Sequence, residues 1–351
     1  MKNLTKANSY VSLLNEFCNK QMLLKDGVTS YYEELIARQL VANYHSIEEL
    51  GIKKSIVENY CLSQTINVQT GTIKKSLSTS VNRHLASAVE SLDSVVRYVN
   101  GSFYIYGSAA SADSVDGWSD IDSMLIVDRD VLYSVAELID LRQLILNVNE
   151  KLRTLDPLQH HGVLIQPRMF LDFYPDTSIP LNNIGPILTD CNSNTLIQYR
   201  TIQTGLLPQK LTGILQDLDN CEVEGVMRHH PFKGEHLLAN YKNSNNGMYQ
   251  LKYYLGLFTI LPSLVAQLRK EDSYKPVAIG AIKKMLDDRS KDWLERITDL
   301  RLNWDSNANE KYIKNNQIPP QVYNYIPANY FKLGAKFANA IREIIRNNII
   351  E

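Results

Sequence analysis

Ser102-Phe103-Tyr104-Ile105-Tyr106-Gly107-Ser108 and, further on, Ser119-Asp120-Ile121-Asp122-Ser123-Met124-Leu125-Ile126-Val127 are the two stretches that decide the fold. The first is aromatic and β-branched up to Tyr106, which predicts a strand that stops at Gly107-Ser108. The second predicts another strand from Asp122 to Val127. Side chains on a strand alternate between its two faces, so Asp120 and Asp122 share one face and Ile121 points into the core. Two carboxylates on one face suit a pair of divalent cations held a few ångströms apart, the arrangement that phosphoryl and nucleotidyl transfer require. Gly107 permits close approach of backbone to a phosphate, and the Ser108 hydroxyl together with amides of a helix starting at Ala109-Ala110-Ser111 can donate to it.

The loop Asp113 to Trp118 joins these two stretches, and Asp120 follows Gly107 by 13 positions. Tyr106-Gly107-Ser108, a variable spacer and Ser119-Asp120-Ile121-Asp122 together resemble the DNA polymerase beta-like nucleotidyltransferase superfamily, over about Phe103 to Phe173 and more loosely beyond. The resemblance implies an α/β core that binds Mg²⁺ (or Mn²⁺) through Asp120 and Asp122 and grips an NTP, ATP among the candidates, through Gly107, Ser108 and Ser119. It also implies a third carboxylate on a later strand. Asp172, flanked by Leu171 and Phe173, is the first choice for metal ligand and for assisting deprotonation of the acceptor. His160 and His161 are the alternatives, because Val163-Leu164-Ile165, the first apolar segment after the helix, contains no acid. Asp176, after Pro175, reads as a turn residue.

Outward from this centre the chain reads as α+β: a polymerase-beta-like core flanked by helical regions. Residues 1–100 are expected to be helical, with Tyr10, Leu13, Leu14 and Phe17 at helical spacing, then Leu35, Leu40 and Val41. Gln69 to Thr72 makes a break, and a long amphipathic helix from Ile73 to Val99 ends at Gly101. The core, 101–190, continues with a helix from Val131 to Leu155 stopped by Asp156-Pro157 and with short strands at Gly162–Ile165 and Met169–Phe173. In 191–351 helices are expected at Leu196–Leu206, Leu211–Leu218, Met248–Arg269, Lys275–Asp287 and Tyr330–Asn347, with a loop at Asn243–Gly247. The resemblance further implies a Lys or Arg of the helical domain at the nucleotide phosphates, for which Lys252 and Lys275 are the candidates. Arg228-His229-His230 with Lys233 and His236 forms a basic cluster that reads either as an anion contact or as a solvated loop. Asp287-Asp288-Arg289, Lys283-Lys284 and Lys291 to Arg301 read as solvated helix faces.

A formal net charge of -1 gives no basic surface for long nucleic acid. A small-molecule or protein acceptor is therefore expected. Cys18, Cys61, Cys191 and Cys221 form no CxxC pair, which fits reduced core thiols rather than a zinc site. The polar start of the chain lacks the apolar segment of a signal peptide, and Tyr253–Leu268 reads as a buried core helix, so a cytoplasmic protein without a membrane span is expected. Two other classes fit the same residues: a non-catalytic nucleotide-binding or regulatory protein with this fold, and an antitoxin-like partner protein acting through its N-terminal helices.

Overall fold

The structure is a computed structural model that describes residues 2–19, 28–49, 61–67, 69–70, 102–108, 115, 117–155, 162–175, 188–189, 196–202, 205–229, 235–236 and 247–349. It is mixed α+β and mostly helical. Packing groups the chain into two units: 1–114 with 120–204, and 115–119 with 205–351.

Among the described residues the first unit is built on a five-stranded sheet. Strands β2 (Gln69–Thr70), β3 (Ser102–Tyr106), β4 (Asp122–Val127), β5 (Leu164–Pro167) and β7 (Leu188–Thr189) lie in the order β2-β7-β3-β4-β5. The two strands expected from the central motif are present. They pair antiparallel, with Tyr106 opposite Asp122 and Phe103 opposite Leu125. Strand β5 runs parallel to β4, with Leu164 beside Met124 and Ile165 beside Leu125. On one face Phe103, Ile105, Ile121, Leu125, Val127 and Ile165 join a large apolar core. Tyr104, Met124 and Ile126 face the other way, against Leu171, Tyr174, Ile197 and Tyr199.

Helices α1 (Lys2–Asn19) and α2 (Val28–Glu49) belong to the large core: Tyr10, Leu14, Phe17, Leu40 and Tyr44 pack there with the sheet and with α4 (Val135–Leu155). α1 also covers the free edge of β5. The Asn15 amide donates to Ile165 O at 2.8 Å and accepts from Ile165 N at 2.7 Å. One turn on, Asn19 donates to Val163 O at 3.0 Å and is held by Asn149 at 2.9 Å. Two asparagines at i and i+4 thus satisfy main-chain groups that an edge strand otherwise exposes to pairing with another chain. A buried ion pair fastens the same helices: Arg142 of α4 reaches Glu33 of α2 at 2.9 Å and donates to Phe17 O of α1.

Several elements differ from expectation. Residues 61–67, expected helical, form β1 (Cys61–Asn67), and Leu196–Leu206, also expected helical, begins with β8 (Leu196–Ile202). These pair antiparallel along seven residues in a second sheet, β1-β8-β6, with β6 at Tyr174–Pro175. In β8 the alternation is visible in burial, since Ile197 and Tyr199 are buried and Gln198 is exposed. A two-residue period in a short apolar run won over the helical spacing of its leucines and isoleucines. Met169–Phe173, expected as a strand, is a 3-10 turn spanning Arg168–Phe173. Pro167 starts it at φ -61, and the adjacent residues Phe170 and Leu171 are both buried, which a strand with one covered face does not allow. The helix expected from Val131 is interrupted: α3 (Arg129–Leu132) ends at Tyr133, and the Ser134 hydroxyl accepts the Glu137 N–H to start α4. The expected helix 73–99, its end at Gly101, the Asp156-Pro157 stop and all of the Asn243–Gly247 loop but Gly247 lie outside the described residues.

Among its described residues the second unit is mostly helical, with one antiparallel pair of short strands, β9 (Val226–Met227) and β10 (Glu235–His236). α5 (Leu207–Glu224) ends at Gly225 in the left-handed region, φ 69. α6 (Met248–Leu268) is long and apolar enough to cross a bilayer by length and composition, yet 67% of its most apolar window is buried within the fold. Phe258 of α6 packs edge-on to Tyr254, to Trp293 and to Phe337 at 5.2 to 5.5 Å. Trp293 lies on α8 (Asp288–Leu302) and Phe337 on α10 (Tyr330–Ile349). α7 (Lys275–Lys283) stops short of the expected Asp287. Asp287 instead caps α8, accepting from Arg289 N and Ser290 N at 3.0 Å each. α9 (Asn307–Lys311) follows α8.

Candidate active site

Asp122 opens β4, and Asp120 precedes it by the two residues that return a strand to the same face; Ile121 between them is 7% exposed and lies in the large core. Opposite Asp122 in the ladder stands Tyr106, the last residue of β3. Its phenol is pushed well above its ordinary range by burial first, then by the Asp122 charge, by Tyr174 and by the Asp120 charge. Both carboxylates are therefore within electrostatic reach of one hydroxyl, which stays protonated and available as a donor.

Gly107 follows at φ 69, in the left-handed region that glycine enters without strain. A Cβ built on Gly107 falls well under 3.0 Å from Asp122 Oδ2, so the carboxylate lies directly against this backbone. The glycine thus has two reasons to be there: the turn out of β3, and the space that the acid occupies. Ser108 begins a helical turn, and both Gly107 and Ser108 are partly exposed.

The third acid is placed differently. Asp172 sits on the 3-10 turn, its side chain 61% exposed, 3.8 Å from Arg200 Nε. The neighbour of β4 is β5, whose residues on the Asp122 face are Leu164 and Gln166. Among the described residues no three His, Cys, Asp or Glu side chains gather as a ligand group. Asp172 is thus not gathered with Asp120 and Asp122. His160, His161 and Asp176 lie outside the described residues.

Ser119 and Lys252 belong to the second unit. The Ser119 hydroxyl accepts from Val115 N at 2.9 Å and closes a tight turn. Lys252, on α6, is 8% exposed, with its ammonium 5.9 Å above the Trp118 ring. Lys275 opens α7. In the basic cluster, Arg228 pairs with Glu224. Asp217, wholly buried, accepts from Arg228 N at 2.6 Å and from His229 N at 3.0 Å, and lies 3.0 Å from His229 Nδ1. His230 and Lys233 lie outside the described residues, as does the side chain of His236.

Sequence reasoning missed Tyr106 as a neighbour of the acids and Tyr174 as a neighbour of Tyr106. Tyr106 was visible as the residue before Gly107, since an antiparallel return brings the end of one strand beside the start of the next. Tyr174 carried no such signal. The donor set, two carboxylates with a phenol beside them and a glycine backbone against one of them, is all oxygen and fits a hard divalent cation such as Mg²⁺ or Mn²⁺. No family model, curated protein or solved structure matches the chain.

Proposed function

We propose that the chain is a metal-dependent nucleotidyltransferase of the polymerase-beta-like kind, which moves a nucleoside monophosphate from an NTP to a small-molecule or protein acceptor. One observation carries this reading: Asp122 opens β4 opposite Tyr106 with its carboxylate against the Gly107 backbone, and Asp120 stands two residues before it. Asp120 and Asp122 would hold Mg²⁺ or Mn²⁺, which when bound offsets the charge of the phosphates and of the departing pyrophosphate. Ser108, which follows the Gly107 turn, supplies a hydroxyl and an amide to a phosphate oxygen. Tyr106, opposite Asp122 and kept protonated, would offer a neutral hydroxyl beside the acids. In the reaction an acceptor oxygen attacks the α-phosphorus, the bond to the β-phosphate oxygen breaks, pyrophosphate leaves, and the acceptor proton passes to water.

A second reading, a nucleotide-binding protein without catalysis, is favoured by one specific observation: no third acid joins the pair among the described residues. One experiment separates the two. The full chain is incubated with each of four NTPs and Mg²⁺ or Mn²⁺, and pyrophosphate and labelled acceptor are read. Metal-dependent pyrophosphate that disappears in Asp122→Asn supports transfer. Tight nucleotide binding with no pyrophosphate under any condition supports the binder.

A further inference from the structure

We propose that Met285 is a site of reversible oxidation by hydrogen peroxide, and that the Arg269 guanidinium receives the sulfoxide it forms. Met285 lies in the connection between α7 and α8, two residues before the Asp287 cap. Its main chain closes the last turn of α7, with Met285 N donating to Ile282 O at 2.9 Å. The residue is 38% exposed. Among the described residues the other methionines are placed differently: Met124, Met227 and Met248 are wholly buried, and Met169 is partly buried against the large core. Thioether oxidation follows access, so Met285 is the first of these five sulfurs that a dissolved peroxide meets.

Arg269 supplies the second half of the site. Its N–H donates to Val265 O at 3.0 Å and ends α6. Its guanidinium serves two partners: Nη1 donates to Met285 Sδ at 3.2 Å, and Nη2 pairs with Glu271 at 2.7 Å. A thioether is a weak acceptor for such a donor. In the oxidation a sulfur lone pair attacks one peroxide oxygen, and the O–O bond breaks as the S–O bond forms. The proton on the transferred oxygen passes to the departing one, which leaves as water; sulfur gives up two electrons and the peroxide takes them. The product carries a polar oxygen beside a charged donor already aimed at it. Hydrogen bonds from a charged donor are roughly twice as strong as neutral ones, and the flexible methionine side chain can turn the new oxygen to meet this one. A sulfoxide in a packed core disrupts it, whereas here a weak contact between the end of α6 and the α7–α8 connection becomes a strong one.

The test treats the full-length chain with graded hydrogen peroxide and compares wild type with Arg269→Ala and Met285→Leu. Oxidation at each methionine is mapped by peptide mass spectrometry, and thermal unfolding is followed by circular dichroism. Met285 should oxidise about tenfold faster than Met124, Met169, Met227 or Met248. Wild type oxidised at Met285 should unfold about 2–4 °C higher than reduced wild type, and a methionine sulfoxide reductase should return it to the lower value. Oxidised Arg269→Ala should show no such rise, and peroxide should not raise the unfolding temperature of Met285→Leu. Oxidation of Met285 no faster than of Met169 overturns the proposal. So does an oxidised wild type that unfolds at or below the reduced one, or a rise that survives in Arg269→Ala or Met285→Leu. If Arg269→Ala does not fold, wild type and Met285→Leu decide alone.

Discussion

Gly107→Ala is the sharpest probe of the site, because it adds one methyl group against one carboxylate. The cost has two parts. A non-glycine residue in the left-handed region costs about 1–2 kcal/mol. The new Cβ also overlaps Asp122 Oδ2, which must swing off its present rotamer for roughly another 1 kcal/mol. The sum, about 2–3 kcal/mol, corresponds to a drop of roughly 4–12 °C in the melting temperature of a unit of this size. Gly205→Ala supplies the control. Gly205 has the same φ of 69 but nothing within 4 Å of its Cβ, so it reports the backbone strain without the clash. Function should respond more steeply than stability. A displacement of about 1 Å at a reacting group costs on the order of 100-fold in rate, and Gly107→Ala should lose pyrophosphate release to that extent while Gly205→Ala keeps it. Thermal unfolding and steady-state pyrophosphate release on both variants make the comparison. Equal destabilisation in the two, with Gly107→Ala retaining turnover, would refute the argument that Gly107 is there to admit the carboxylate.

Three further outcomes are expected. Asp172→Asn should keep pyrophosphate release within about twofold of wild type while Asp120→Asn abolishes it, because an exposed ion pair such as Asp172–Arg200 contributes only about 0–1 kcal/mol; equal loss in both variants would restore Asp172 as a ligand. Asn15→Leu leaves the Ile165 N–H and C=O unpaired at the sheet edge, so it should cost about 2–4 kcal/mol in urea unfolding and promote association at high concentration; unchanged unfolding would mean the edge is satisfied otherwise. Arg142→Ala strands Glu33 and uncovers Phe17 O, a loss of about 3–5 kcal/mol by the same assay, whereas Arg142→Met with Glu33→Leu should cost far less; a double variant as unstable as the single would contradict this.

The parts of the fold that were legible are those whose signal is local. The run ending at Tyr106 and the Asp122–Val127 strand each declare a face within a few residues, and Ile121 between two acids states which side is buried. β1 and β8 were illegible because each takes its conformation from the other, across more than a hundred residues of sequence, and neither run is long enough to exclude a helix. Nothing local in the sequence marks Asn15 and Asn19; only the edge of β5 gives them work. Asp217 was not singled out either, yet it is wholly buried and holds the turn into β9 through the Arg228 and His229 amides. Asp287 lay in a charge run and proved to be a helix cap.

The same local-versus-distant contrast bears on the third ligand. Following the parallel register of β5 back from Leu164 beside Met124 brings Gly162 level with Asp122. A Cβ at Gly162 would fall 2.7 Å from both amide atoms of Asn149, so no acidic side chain fits there while Asn149 and Asn19 hold the edge. The strand beside the two acids is thus committed to receiving α1. A divalent cation held by one or two carboxylates and completed by phosphate oxygens and water is an ordinary arrangement for Mg²⁺ in nucleotide enzymes. On the proposed function, cation and NTP therefore arrive together: Asp120 and Asp122 are too few to retain the ion alone, and the phosphates supply what β5 does not.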